Sequence, residues 1–321
     1  MVLSLVDVGT TANDGTGDPL RTAFQTVNAA ITAVNGFGTI VSQSEDLVDI
    51  TSINSGQIGG LRNRFFNGDM SLWQRGTSLS LTSGQYGPDR WLISDNSATI
   101  TQQTFTPGQT DVPGNPKYYA RITAPSSGSK SNFSQKIQDV TLFAGNEITL
   151  SFWAKASTTL AGVFPRIYQS FGSGGSSTAI AAAGSAISLT TSWQQFTLTA
   201  SLASVSGKTV GTNDFLWVQP LRDIPLDGVI DFACAQIELG GVVTPYEKRP
   251  LVLQKALCGP YYQAFSVQTV NGVRYIPFVP PMRAAPTVTV SAGTAGNITA
   301  NGFELTHTSA AACSVTASAE I

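Results

Sequence analysis

The sequence predicts a mainly β protein: a short N-terminal α-helix, a central antiparallel sandwich of jelly-roll type and a small C-terminal β-sandwich, with three chains in parallel. Three observations predict it. From Leu61 onward, short runs of alternating apolar and polar residues stand between clusters of Gly, Pro and Ser. A helical seam occurs near the start, over residues 19–35. That seam and the last seventy or so residues each lack enough apolar partner surface in their own chain, so identical neighbours are expected to cover them.

The helix comes first. Residues 7–19 read DVGTTANDGTGDP, a turn-rich loop, and Asp18-Pro19 is a start signal with Asp at the N-cap and Pro at the first helical position. The helix is expected to run from Pro19 to about Asn35 and stop at Gly36. Leu20, Phe24, Val27, Ile31 and Val34 recur at spacings of four, three, four and three, which is a heptad seam. An amphipathic helix lying on its own domain is the rival reading. A helix this short is marginal alone in water, and no neighbouring segment is apolar enough to cover it, which favours a bundle of three chains. The glycines before it lack the Gly-Lys-Ser/Thr ending of a phosphate loop, and Asn13, Asp14 and Asp18 match no calcium-loop spacing. Residues 38–60 read as a polar linker.

Between Leu61 and Pro250 helix signals vanish. In ITLSFWAKA, Ile148, Leu150, Phe152 and Ala154 share one face, with Trp153 and Lys155 on the other. FTLTASL places Phe196, Leu198, Ala200 and Leu202 inward in the same way, and VIDFACAQIEL and YYARITA add strands. Many such strands argue for an antiparallel sandwich or jelly roll. After Pro250, LVLQKALCGPYY is a short helical patch. FSVQTV, GVRYIPFV, PTVTVSA, GFELTHT and CSVTASAEI then return the chain to strands. The expected divisions are 1–60, 61–250 and 251–321.

Composition narrows the function. Only 12% of residues are charged, about half the usual share, so the surface takes its polarity from hydroxyls and amides. Such a surface suits extracellular assemblies and carbohydrate contact. Net charge is −2 and no basic run is present, which argues against nucleic acid. Cys234, Cys258 and Cys313 are odd in number and far apart, so no disulfide framework or CxxC metal site is readable. No stretch reaches membrane-spanning length, and the Met-Val-Leu-Ser start has no signal-peptide pattern. An extracellular-looking protein without an export signal fits assembly in a bacterial cytoplasm and release by lysis.

Catalysis is not expected. The single histidine, His307, lies on the strand face opposite Glu304, and no G-x-S-x-G elbow is present. A glycosidase needs only two carboxylates, and the 20 Asp and Glu residues keep that alternative open.

Three segments resemble parts of known proteins. VGTTANDGTGDPLRTAFQTVNAAI is similar to a motif near the start of many tailed-phage fibre and baseplate proteins, with Asp14, Gly15, Gly17, Asp18, Leu20, Arg21, Phe24 and Asn28 matching and Ala30-Ile31 departing from the usual Asn-Phe. Asn67-Gly68, Trp73-Gln74-Arg75-Gly76, Asp89-Arg90-Trp91, the SFWAKA strand and the closing QIELGGVVTPYEKRP resemble the jelly-roll modules of phage tail proteins, which look like distant carbohydrate-binding modules. Tyr261-Tyr262 and Met282-Arg283-Ala284-Ala285-Pro286-Thr287 resemble phage-fibre C-terminal domains.

The resemblance implies a bacteriophage tail-fibre or receptor-binding structural protein of the virion. It would attach to baseplate or tail proteins through Leu20, Arg21, Phe24, Val27, Ile31 and Val34, with the same helix joining the trimer, and would contact host surface polysaccharide by its β domains. A tailspike-type depolymerase and a purely architectural virion protein are the alternatives. Candidate glycan contacts are Trp153, Arg166 and Tyr168, each on the polar face of its strand, together with Gln135. Trp73, Trp91 and Trp193 are assigned to packing, and Trp217 to neither class. No cofactor is expected, beyond a structural calcium that related modules hold near positions such as Asn67, Asp69 and Glu238.

Overall fold

The computed structural model describes Gly15 and residues 22–29, 42–44, 47–49 and 60–321. The chain divides into two compact units, residues 1–60 and 61–321. In the first, residues 22–29 form a helix, α1. Phe24 and Val27, three residues apart on one side of it, are 60% and 41% exposed. Leu20, Arg21, Ile31 and Val34 lie outside the described residues. Part of the expected linker is a strand pair: β1 (Ser42–Ser44) runs antiparallel to β2 (Leu47–Asp49).

The second unit opens with twelve strands: β3 (Ser78–Leu81), β4 (Trp91–Ser94), β5 (Ala98–Thr104), β6 (Tyr118–Thr123), β7 (Ser131–Gln138), β8 (Glu147–Ala156), β9 (Leu160–Ser170), β10 (Ala179–Ala183), β11 (Ile187–Leu189), β12 (Gln194–Ser201), β13 (Phe215–Ile224) and β14 (Val229–Leu239). They form two antiparallel sheets. The first has the order β10-β9-β13-β7-β4, with β11 also on β9, and the second the order β12-β8-β14-β6-β5-β3. The protein is thus mainly β and its central region is a jelly-roll sandwich, as the alternating runs predict.

The alternation explains why the sheets stack. Phe133 and Ile137 of β7, Ile167 of β9 and Val218 of β13 face Ile100, Ile122, Phe152 and Phe232 of the second sheet in one buried core. Trp91 sits fully buried at its centre, stacked on Phe133 with ring centroids 4.9 Å apart and 5.0 Å from Phe65. Such aromatic clusters contribute about 0.5–1.5 kcal/mol per pair beyond the area they bury.

β14 carries a register shift between Ala233 and Gln236, and Cys234 there has φ +49°. The bulge puts Phe232, Ala235 and Ile237 in the main core, while Ala233 and Cys234 face the other way. On that outer side of the second sheet they meet Phe105, Val112, Tyr119, Trp153, Trp193 and Tyr246 in a small cluster.

Pro250 then precedes α2 (Leu251–Cys258), as the sequence predicts. β15 (Tyr262–Gln268), β16 (Gly272–Pro277), β17 (Thr287–Val290), β18 (Thr294–Thr299), β19 (Gly302–His307) and β20 (Ala312–Ser318) follow. They make two three-stranded sheets, β15-β20-β17 and β16-β19-β18, around Phe278, Phe303, Leu305, Cys313 and Val315. The Tyr275–Val279 run splits by alternation. Ile276 and Phe278 enter this core, while Tyr275 and Val279 are 53% and 80% exposed.

The C-terminal sandwich does not stand apart from the jelly roll. Arg90, fully buried, pairs with Glu320, and Arg75 reaches the same carboxylate at 3.0 Å. Lys136 of β7 donates to the Ile321 carbonyl at 2.7 Å, and Arg283 donates to Asn213 Oδ1 at 2.5 Å. Some of the burial that the sequence reading assigns to identical neighbours is therefore supplied by the same chain.

Candidate functional site

The strongest site geometry lies on the outer face of the first sheet, the face turned away from the main core. On β9, Val163 and Ile167 point inward, so Arg166 and Tyr168 point out. On β13, Leu216 and Val218 point inward, so Trp217 and Gln219 point out. Register joins them: Trp217 pairs with Tyr168 on one side and Lys136 on the other, and Gln219 pairs with Arg166. Two cross-strand rows result, Lys136–Trp217–Tyr168 and Gln219–Arg166.

The aromatic pair is pre-set. The Tyr168 and Trp217 rings lie 5.8 Å apart at an interplanar angle of 39°. Trp217 Nε1 donates to Ser134 Oγ of β7 at 2.9 Å, which fixes the indole across the sheet. Beside the rings are polar atoms without partners. Gln219 is 2% exposed, yet its Oε1 accepts no hydrogen bond among the described residues, and neither does the buried Arg166 Nε–H donate one. Buried polar groups in native proteins are nearly all satisfied, so two orphans in register on one face point to a missing hydrogen-bonding partner. Flat rings flanked by a guanidinium and an amide offer what a sugar needs: an apolar surface for its C–H face, with donors and acceptors for its hydroxyls.

The structure thus brings Arg166 and Tyr168 together and separates the other two predicted contacts from them. Gln135 corrects the sequence reading. It lies between Phe133 and Ile137 on the inward side of β7, is fully buried, and spends its amide on Phe66, accepting from its N–H at 2.9 Å and donating to its carbonyl at 2.9 Å. It holds the chain entering the sandwich and is not on the outer face. Trp153 does point outward, but from β8 of the second sheet, on the opposite side of the sandwich, where it packs in the small cluster with Trp193 and Tyr246.

Trp217, Gln219 and Lys136 are the members that sequence reasoning left out. A signal was present for Trp217, since FLWVQP alternates with Leu216 and Val218 inward. Its partners were hidden because strand pairing is not written locally.

The suggested calcium positions are occupied by protein donors. Asn67 donates to the Leu72 carbonyl at 2.8 Å and accepts from the Leu72 N–H at 2.8 Å. Glu238 accepts from Gln236 Nε2 at 2.8 Å and Thr244 Oγ1 at 2.6 Å. Asp69 accepts from Ser71 Oγ at 2.8 Å. Among the described residues no group of three or more His, Cys, Asp or Glu is placed to hold a metal, and no helix is long and apolar enough to cross a membrane. His307 Nδ1 accepts from the Ser309 N–H at 3.1 Å, closing the turn after its strand.

No protein-family model matches the chain, and no curated protein does. Solved structures are similar in part. A CBM4 structure is 22% identical over 54% of this chain and 97% of its own, with a TM-score of 0.31. The CBM22-1 xylan-binding domain of Paenibacillus barcinonensis Xyn10C is 12% identical over 53% of this chain and 96% of its own, with a TM-score of 0.33. The enzymatically active domain of bacteriophage CBA120 tailspike protein 4 is 19% identical over 53% of this chain but 23% of its own, with a TM-score of 0.32.

Proposed function

We propose that the outer face of the first sheet binds host-surface glycan, and that the protein is a bacteriophage tail-fibre or receptor-binding component, carried as a homotrimer on the virion. The observation that carries the glycan reading is the Trp217–Tyr168 pair beside the unpartnered Gln219 Oε1 and Arg166 Nε–H. The fibre reading rests on the N-terminal motif, and the exposure of Phe24 and Val27 on α1 fits a helix that identical neighbours cover. Three parallel copies would present three weak sites to a repetitive surface, where avidity multiplies affinity without new contacts.

Binding without turnover fits the face. Lys136, Arg166, Tyr168, Trp217 and Gln219 include no carboxylate, whereas glycoside hydrolysis commonly needs two. The test is capture of purified protein by bacteria with and without surface polysaccharide, run beside Trp217→Ala and an assay for released reducing sugar. Polysaccharide-dependent capture that Trp217→Ala abolishes, with no sugar release, is expected. Equal capture by stripped cells, or by the variant, overturns the glycan reading, and sugar release moves the protein to the depolymerase class.

A further inference from the structure

A second site lies on the other side of the sandwich. A pocket of about 400 Å³ opens beside the outer side of the second sheet, built around Asp69, Lys117, Tyr246, Lys248 and Arg249 with Cys234 at the β14 bulge. None of these residues belongs to β4, β7, β9 or β13, so it is independent of the sheet face described above. Its volume falls in the range of small-molecule sites.

The lining has an unbalanced polar inventory. Tyr246 Oη is buried and has no hydrogen-bond partner among the described residues. Burial, with Asp69 and Cys234 beside it, pushes this phenol well above its ordinary pKa, so it stays an O–H donor. Arg249 is only 7% exposed. Its Nη1 and Nη2 are taken by the Phe65 and Asn63 carbonyls, and Nη2 also pairs with Glu247 at 3.2 Å, but its Nε–H is buried and unpartnered. Lys117 and Lys248 also line the pocket, and neither has an ion pair among the described residues. The first turn of α2 closes one side with no side-chain cap and no acidic residue. The lining contains one carboxylate, Asp69, held by Ser71 and raised in pKa chiefly by burial, while Glu247, just outside the lining, pairs with Arg249. Pro113, Pro116 and Tyr118 supply an apolar wall.

Two buried orphan donors and two ammonium groups without an ion pair among the described residues, Lys117 over the Tyr118 ring and Lys248 near Asp69, call for an acceptor that carries negative charge. The single carboxylate calls for a hydroxyl donor in the same ligand. The apolar wall calls for a ring. We propose that this pocket binds a carboxylated sugar, one hexuronate residue of an acidic polysaccharide, with its carboxylate toward Tyr246, Arg249 and Lys248 and a ring hydroxyl donating to Asp69.

Calorimetric titration of the full chain tests this with galacturonate and glucuronate trimers, a neutral glucose trimer and acetate as probes. At least one uronate trimer is expected to bind about tenfold or more tighter than the neutral trimer, with acetate failing to displace it at equal concentration. Lys248→Ala changes an exposed side chain, so it is expected to keep the wild-type melting temperature while weakening uronate about fivefold or more. Tyr246→Phe is expected to weaken it as well, and Trp217→Ala to leave it unchanged. Equal binding of neutral and acidic trimers, displacement by acetate alone, no binding, or full affinity in both Lys248→Ala and Tyr246→Phe would each overturn the proposal. Loss in Trp217→Ala would move the ligand to the sheet face and overturn it too. Failure of the sheet-face reading is distinguishable, because that failure appears as Trp217-independent capture of host polysaccharide.

Discussion

The guanidinium of Arg90 lies 3.5 Å above the ring of Tyr261, with its Nη1 donating to Glu320 and its Nη2 to the Lys136 carbonyl at 2.6 Å. One residue just before a core strand thereby ties together β7, the segment after α2 and the segment after β20. Both ends of the ion pair are removed from water, Arg90 completely and the Glu320 side chain to 8% exposure.

Removing one partner of such a pair leaves the other charge buried. Glu320→Ala is expected to destabilise the protein by about 3–5 kcal/mol, since Arg90 keeps its charge and loses its carboxylate. Urea unfolding measures it, and a change under about 1 kcal/mol would show that the pair does not hold the C-terminal sandwich in place.

Gln135→Leu is expected to cost about 1–3 kcal/mol, because the Phe66 N–H and carbonyl both lose their buried partner. Glycan affinity is expected to stay within about twofold once the protein is folded, which binding at low temperature checks. A specific loss of affinity at full stability would return Gln135 to the binding surface.

The Asp89 carboxyl is pushed up to about 6, first by burial, against hydrogen bonds from Gln74 and the nearby Arg75. Arg75 is a weak counterweight, since its contact with Asp89 is 3.4 Å and it is shared with Glu320 at 3.0 Å. The raised value sets the sign. Between about pH 4 and 6 the unfolded chain has released this proton while the native protein retains it, so stability falls as pH rises through that window and then levels. A rise to about 6 from the ordinary carboxylate value corresponds to about 3 kcal/mol. Carbon-13 NMR titration of the Asp89 carboxyl is expected to show a midpoint near 6, and a midpoint near 4 would refute it.

Light scattering of the purified protein is expected to return the mass of three chains, and Phe24→Ser with Val27→Ser to shift that mass toward one chain. A well-folded wild-type particle of single-chain mass would remove the fibre reading.

Much of the fold was legible because the sandwich writes itself locally. Ile148, Leu150, Phe152 and Ala154 mark one face of β8 by simple alternation, and Pro250 marks the start of α2. What was not legible has physical causes. TAGNIT, the strand β18, carries Gly and Asn, residues depleted in strands, yet pairing with β19 makes it a strand. Part of the polar segment after α1 pairs as β1 and β2, again through a partner strand. Gln135 is polar by type but occupies an inward register position, because the Phe66 backbone needs a hydrogen-bonding partner inside the sandwich. The candidate site suffered most. Tyr168 and Trp153 look alike within their own strands, and only the assignment of β9 and β8 to different sheets separates them. Trp217 joins Tyr168 across about fifty residues of sequence through a single register pair.

The most direct test follows indole and guanidinium N–H signals by NMR while the glycan captured from host cells is added. The Trp217 Nε1–H and Arg166 Nε–H resonances are expected to shift with saturation, while Trp153 Nε1–H, on the opposite side of the sandwich, stays in place. A shift at Trp153 with Trp217 and Arg166 unmoved would contradict the account.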